Sequence, residues 1–498
     1  MGLNRSAKMA MVTVLGLTMV AIAAQPVRAC TVFVFTDANY ALFCNNEDWS
    51  DSNTRIWFQP AGEGYYGAAY VGFANGWPQG GLNAEGLAYD WVLGAPKAWE
   101  PNLPGTRGPA CQRMLETCAT VKDAIAFFRS HAEPGFSISR ILVADRTGAS
   151  VIIGAKDGQL QVEESKQNRG FGFARHILQT TLDRRAALAI PPEATVAEGF
   201  KILRDCRQAG QHATKYSNIF DLKSGDIFLR TFPERDDVVK LSLAAELSKG
   251  AHYYEMPRIK EQLAHPPRPL PLNMKRFPLD EFKPIPDKEP DLTAHLRAMG
   301  QDVAQGTPRA KDYGADFWKA EVLPYQKRIQ ADVKQFGEIV SMILLDRDAT
   351  NKLRSYRYRL EFTNIALLMR HVLDAQNRVT ASEAEAIELK PTWKFGEPPK
   401  TVVDIGVALG VDGQNIVVIG LLPDSPAMRK DVHVGDRLLA VAQGTDPAVP
   451  VRSENLARAV ELIRGPAGTT VRLTIVPVGK EESRARVVSL ERPELDWP

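Results

Sequence analysis

Cysteine is scarce in this chain. Five occur in 498 residues, at positions 30, 44, 111, 118 and 206. That is too few for a disulfide scaffold, and an odd count leaves at least one thiol unpaired. Cys111 and Cys118 fall in one expected helix, where their spacing would hold them about 10 Å apart, beyond the reach of a bridge. An excess of charge is missing too. Sixty-one basic residues face 59 acidic ones, a net of +2, so nothing marks a polyanion such as nucleic acid as a partner. Beyond residue 24, no apolar run approaches the roughly 20 residues of a bilayer span. None of the eight histidines sits in a local pattern that would pair it with a cysteine, and no metal or cofactor is implied. With 44% hydrophobic and 24% charged residues, the composition is that of ordinary globular protein. The length suggests roughly two to four domains.

What is present begins at the N-terminus. Residues 1–8 carry Arg5 and Lys8 and no acid. Met9 to Ala24 is almost unbroken apolar sequence, Pro26 breaks it, and Val27-Arg28-Ala29 places short residues before a cut. This is the layout of a secretory signal peptide over residues 1–29, and it predicts an exported, periplasmic or extracellular protein. The opening MGLNRS also fits a myristoylation pattern, which leaves the apolar run unexplained. Removing residues 1–29 leaves 58 basic against 59 acidic residues, a net of −1.

Cleavage after Ala29 makes Cys30 the first residue, with a thiol and an α-amine on one carbon. An α-amine of pKa about 8 can take the proton of a thiol of pKa about 8.5, and the thiolate is the nucleophile. One residue then supplies both nucleophile and base. Two other readings stay open: a small buried hydrophobe opening a strand, and a lipoprotein cysteine, for which Pro26 and Arg28 make a poor approach.

The stretch TVFVFTDANYALFCNNEDWS, residues 31–50, reads as a hairpin. Its alternating first strand covers 31–36, a turn falls at Asp37-Ala38-Asn39, and the second strand, Ala41 to Cys44, delivers Asn45, Asn46 and Asp48 to a loop. The leading cysteine, the hairpin and Asn46-Glu47-Asp48-Trp49 together resemble the N-terminal nucleophile hydrolases. Within them they resemble the group of choloylglycine hydrolases, penicillin acylases, penicillin-forming acyltransferases and acid-ceramidase-like enzymes. QGGLNAEGLAYDW (79–91) is similar to that group's strand turn, and KYSNIFDLKSGDIFLRTF (215–232) to its late hairpin.

The resemblance covers about residues 30–260. It implies a four-layer αββα sandwich and an amidase domain over 30–264, with helices near 108–130, 183–209 and 241–249. By resemblance, Asp48 accepts a hydrogen bond from the Cys30 amine or thiol, and Asn46 is a turn residue or a donor near the carbonyl. Asn45 stands where bile-salt enzymes carry arginine, which argues against a bile-salt substrate. Asn83 shapes a turn or meets substrate, and Asp90 and Trp91 face it. The group's oxyanion asparagine has no counterpart in GFGFARHILQ (170–179), where Arg175 stands near its place. Arg184 or Arg185 of TLDRRAAL resembles a supporting arginine. The implied activity is hydrolysis of a linear amide C–N bond, or acyl transfer. The alternative is a catalytically lapsed protein acting through its other domains.

Residues 265–291 hold eight prolines, which exclude helix and interior strand and predict an extended linker. Residues 292–395 read as helices followed by paired strands with a turn at Asp374–Asn377, an α+β accessory domain. Residues 398–492 resemble a PDZ domain of the kind found in bacterial C-terminal processing proteases, on LPDSPA (422–427), VGDRL (434–438) and ENLARAVELIRGPAGTTVRLTIV (454–476). That resemblance implies capture of a peptide or protein C-terminus. Ile405, Gly406 and Val407 would form the carboxylate loop, and Leu456, Val460 and Ile463 would line the groove. The Ser-Lys domain that follows such a PDZ in those proteases is expected to be missing, since six residues remain after 492. The whole is expected to be a multidomain α+β protein.

Overall fold

The computed structural model describes residues 30–492, apart from 37–38, 95–97, 100, 166–167, 173–177, 179–181, 183–194, 210–211, 233–236, 350–352, 394–401, 404, 422–424 and 467. The described residues form two compact units, one within 30–393 and the other within 402–492. The protein is α+β and multidomain.

The strands of the first region are β1 (Thr31–Thr36), β2 (Ala41–Asp48), β3 (Thr54–Gln59), β4 (Ala68–Phe73), β5 (Pro78–Asn83), β6 (Ala88–Leu93), β7 (Ser139–Ala144), β8 (Ser150–Lys156), β9 (Gln159–Ser165) and β10 (Arg169–Gly172). They continue with β11 (Thr214–Asp221), β12 (Asp226–Thr231), β13 (Val239–Ser242), β14 (His252–Glu255) and β15 (Arg268–Pro269). One sheet has the order β10-β1-β2-β11-β12-β13, and the other β15-β14-β3-β4-β5-β6-β7-β8-β9. All pairings are antiparallel. The sheets stack where β1 and β10 meet β6.

Alternation along each strand builds the layers. Phe33, Phe35, Leu42 and Cys44 point away from the second sheet and pack on Phe200 and Leu203 of helix α3 (Thr195–Asp205). On the far side, Trp57, Tyr70, Tyr89, Val143 and Ile153 pack on α1 (Ala110–Thr117) and α2 (Val121–Ser130). Thr120 and Asp123 cap α2 reciprocally, a device worth about 1 kcal/mol. The result is αββα. All five cysteines are free and buried.

Two expectations change here. The second strand does not stop at Cys44 but runs through Asp48, paired with β1 on one side and β11 on the other. Two neighbours satisfy its backbone, so the polar run Asn45–Asp48 needs no loop. The proline-rich stretch is not a free spacer. As proline requires, up to residue 289 it contributes an edge strand and 3₁₀ turns, and Pro290 opens the next helix. Yet Leu270, Met274 and Leu279 are buried, Asn273 bonds the Ala74 carbonyl, and Arg276 reaches buried Glu116 at 3.0 Å.

Helices α4 (Pro290–Gln305) and α5 (Gln326–Phe336) follow, then a curved antiparallel sheet of β16 (Ile339–Asp348), β17 (Arg354–Phe362), β18 (Ile365–Leu373) and β19 (Val379–Leu389). The turn between the last two carries Asn377 at φ 60°. Arg107 bridges Glu388 and Asp280, tying this region to the first.

The last unit has strands β20 (Val402–Val403), β21 (Val407–Asp412), β22 (Asn415–Leu421), β23 (Arg437–Gln443), β24 (Val449–Pro450), β25 (Gly465–Pro466), β26 (Thr470–Val476) and β27 (Arg486–Glu491), with helix α6 (Leu456–Ile463). Its main sheet has the order β21-β22-β23-β26-β27, which leaves β21 at an edge beside α6.

Candidate active site

Register places Cys30 one step before Thr31, which pairs with Asn46, so Cys30 lies across from Glu47. Glu47 in turn pairs with Tyr216 of β11. The three side chains form a row on the face between the sheets. The Cys30 thiol donates to Glu47 Oε1 at 3.6 Å, and Tyr216 Oη donates to Glu47 Oε2 at 3.3 Å. One pair further along, Asn45 lies across from Asn218, with Asn45 Nδ2 donating to Asn218 Oδ1 at 3.4 Å. Asn45 Oδ1 and Asn218 Nδ2 have no partner among the described residues although both are fully buried.

Asp90 arrives from the opposite sheet. Its neighbours Tyr89 and Trp91 pack toward the helices, so alternation turns Asp90 inward. Among the described residues neither carboxyl oxygen has a side-chain hydrogen-bond partner, and the Trp91 backbone N–H is the one group that favours its ionised form. Gly80 pairs with Asp90, and a Cβ there would fall 2.2 Å from Asp90 Oδ2. Glycine at 80 makes the room this carboxyl occupies.

Burial dominates the electrostatics. It raises Glu47 to about 8, with the neighbouring Asp48 adding to the shift. Burial raises Asp48 to about 7 against the hydrogen bonds of Thr214 and Gln208. Burial, then Glu47, pushes Asp90 well up. The Cys30 thiol is raised by burial, then by Glu47 and Asp48, while the Asp48 backbone N–H favours its thiolate. In the uncut chain the Cys30 nitrogen is an amide, and the charges that bear on the thiol among the described residues are the acids Glu47, Asp48 and Asp90, with Lys215 easing only Asp48. An α-ammonium released at Cys30 would supply a positive charge beside it.

The expected residues divide between the two faces. Cys30, Asn45 and Asp90 share the face between the sheets, and Asp48 meets the thiol through its backbone N–H. The Asp48 carboxylate is turned elsewhere, held by Gln208 Nε2 at 2.6 Å and by the Thr214 hydroxyl. Asn46 lies on the helical face, where it donates to the Leu203 carbonyl at 2.8 Å and accepts from Ser217 at 2.7 Å. It anchors α3 and does not reach the thiol. Asn83 uses its whole amide structurally, donating to the carbonyls of Leu115 and Cys118 and accepting from the amides of Glu85 and Leu87. Trp91 packs on Phe136 at 6.0 Å between centroids, on the side away from Asp90. Arg175, Arg184 and Arg185 lie outside the described residues, as does segment 1–29.

Sequence reasoning missed Glu47, Tyr216 and Asn218. Strand alternation from Asn45 could have found Glu47 once the strand was extended. Tyr216 and Asn218 needed the β2–β11 pairing.

In the last unit, Gly406 has φ 81° just before edge strand β21, a conformation that favours glycine. Leu456 and Val460 are half-buried on α6. Ile405 and Ile463 belong to the core of the unit and do not line its groove, because their side chains are covered on all sides.

The PDZ domain family matches residues 399–476. The last unit is a PDZ domain. A tail-specific protease of Haemophilus influenzae is 26% identical over 211 residues, 42% of this chain. The match spans 29% of that protease's length. The peptide-bound PDZ domain of a carboxy-terminal protease from Vibrio cholerae is 31% identical, covering 18% of this chain and 95% of that one, with a TM-score of 0.18. Penicillin V acylase from Agrobacterium tumefaciens is 14% identical, covering 45% of this chain and 90% of that one, with a TM-score of 0.36. Among the described residues, no helix is long and apolar enough to cross a membrane.

Proposed function

We propose that the first domain is a linear-amide hydrolase whose nucleophile is the Cys30 thiolate, released by signal cleavage after Ala29 in an exported protein. The observation that carries this is the row Cys30–Glu47–Tyr216, facing Asp90 and two amide side chains with unpaired buried atoms.

In this reading the thiol proton passes to the Cys30 α-amine, which the acidic cluster holds in place. The Sγ–C bond forms, and the carbonyl pair moves to oxygen. Asn218 Nδ2, a buried donor on the same face without a partner among the described residues, would meet that oxyanion, in the role that the group's asparagine fills elsewhere. Collapse breaks the C–N bond, and the leaving amine takes the proton from the α-ammonium. Water then attacks the thioester and gives its proton to the α-amine, the C–Sγ bond breaks to free the acid, and the α-ammonium returns the proton to the departing thiolate. An amine in place of water would make the enzyme an acyltransferase. The PDZ domain binds a peptide or protein C-terminus by strand addition to β21.

One observation favours the lapsed-enzyme reading: uncut, the thiol is held protonated among acids. Intact mass of protein from an exporting host, followed by incubation with phenoxymethylpenicillin and N-acyl amides, separates the two. A chain starting at unmodified Cys30 that gains an acyl mass there supports the enzyme. A start elsewhere, or a lipid mass on Cys30, overturns it.

A further inference from the structure

The region 290–389 contains a cavity that the chemistry at Cys30 does not use. Beneath the curved sheet, the apolar side chains form two clusters. One gathers around Leu296, Phe317 and Tyr358, the other around Phe336, Phe362 and Leu367, and Met342 touches both. Between them, α4, α5 and the sheet line a partly open cavity of about 180 Å³. A cavity of about 150 Å³ with apolar walls stays dry and takes up benzene. Protein interiors otherwise close to crystal-like density. Met299, Leu360 and Met369 on its walls give water no partner.

The lining has one built polar point. His371 Nδ1 and Ser382 Oγ lie 3.0 Å apart on β18 and β19, and both residues line the cavity. No protein partner is found for His371 Nε2 among the described residues. Burial lowers His371 to about 4, so the ring is neutral. The charged groups of the wall disfavour an anionic guest. Glu321 and Asp332 would repel a carboxylate, and Arg297 gives its Nη2 to the carbonyls of Ile339 and Val340 at 3.0 Å, which leaves Nε as its buried donor without a partner among the described residues.

We propose that this region binds a single medium-length apolar chain with an uncharged hydrogen-bonding end, such as a primary fatty amide, the chain lying between helices and sheet and the head meeting His371 and Ser382. This does not rest on the Cys30 reading.

The test is calorimetric titration of the full chain carrying Cys30→Ala, so that no turnover intrudes, with decanamide, decanoate and decylamine. Decanamide is expected to bind one per chain, at least tenfold tighter than decanoate. Ala384→Phe, which fills the cavity from β19, should abolish binding. Ser382→Ala, a mild change that keeps the fold if Ala384→Phe does not, should weaken decanamide severalfold and leave decanoate unchanged. No saturable binding, equal affinity for the three heads, or binding that survives Ala384→Phe overturns the proposal.

Discussion

The Cys30 site and the PDZ edge solve opposite problems. The first buries polar side chains between two sheets and leaves some of their atoms unpaired. The second leaves a strand edge, β21, unpaired beside a helix. Burial makes the first site's groups strong and easily perturbed, since low dielectric magnifies each charge and each missing bond. The PDZ edge depends on backbone geometry, so few of its side chains are decisive. A substitution should therefore disturb one region through charge and the other through conformation.

The largest expected effect is at Cys30. Cys30→Ser in the cleaved protein should lower amide turnover by roughly three orders of magnitude, measured by amine release, with peptide binding by the PDZ domain unchanged. Near-normal turnover would break the nucleophile assignment. Glu47→Gln should lower turnover by roughly 10- to 100-fold and remove one limb of the pH profile. A uniform loss across pH would mark Glu47 as merely structural. Asn46→Ala is the control from the other face of the same strand. It should cost about 1–3 kcal/mol of stability through the orphaned Leu203 and Ser217 partners, seen in denaturant melts, with kcat little changed in the folded fraction.

Gly406→Val should strain a positive-φ position by about 1–3 kcal/mol. The affinity of the best binder from a random C-terminal peptide library should fall about tenfold while amide turnover holds. The smallest effect is a slope. Glu47 and Asp48 are raised to about 8 and about 7, so as pH rises from about 4 the unfolded chain ionises first. The uncut chain should lose up to ~1.4 kcal/mol per pH unit and group, levelling off near pH 8. The cleaved form, with its ammonium among the acids, should show a shallower slope in pH-dependent melts.

Much of this layout was legible in the sequence. Alternation in TVFVFT marks β1, the proline run forbids a helix, and the glycine at 406 marks a special turn. The polar run Asn45–Asp48 misled because polar residues usually leave a strand. Here β1 and β11 flank it, and the αββα stack offers a partner on each face. That burial separates Asn45 and Glu47 from Asn46 and Asp48, and it moves the thiol's acidic partner from Asp48 to Glu47. Asn83 shapes its turn and also holds a helix end 32 residues away, whereas Trp91 is taken up by the aromatic cluster under Phe136.

The sequence by itself determined the periodicities, the place of Cys30 at the start of a strand, and the PDZ signature, because these depend on neighbours a few residues apart. Only the tertiary structure decided which carboxyl meets the thiol, that Asp90 arrives from the second sheet, and that a cavity separates two cores under the curved sheet. Those outcomes depend on register and stacking between segments distant in the chain, which local pattern does not encode.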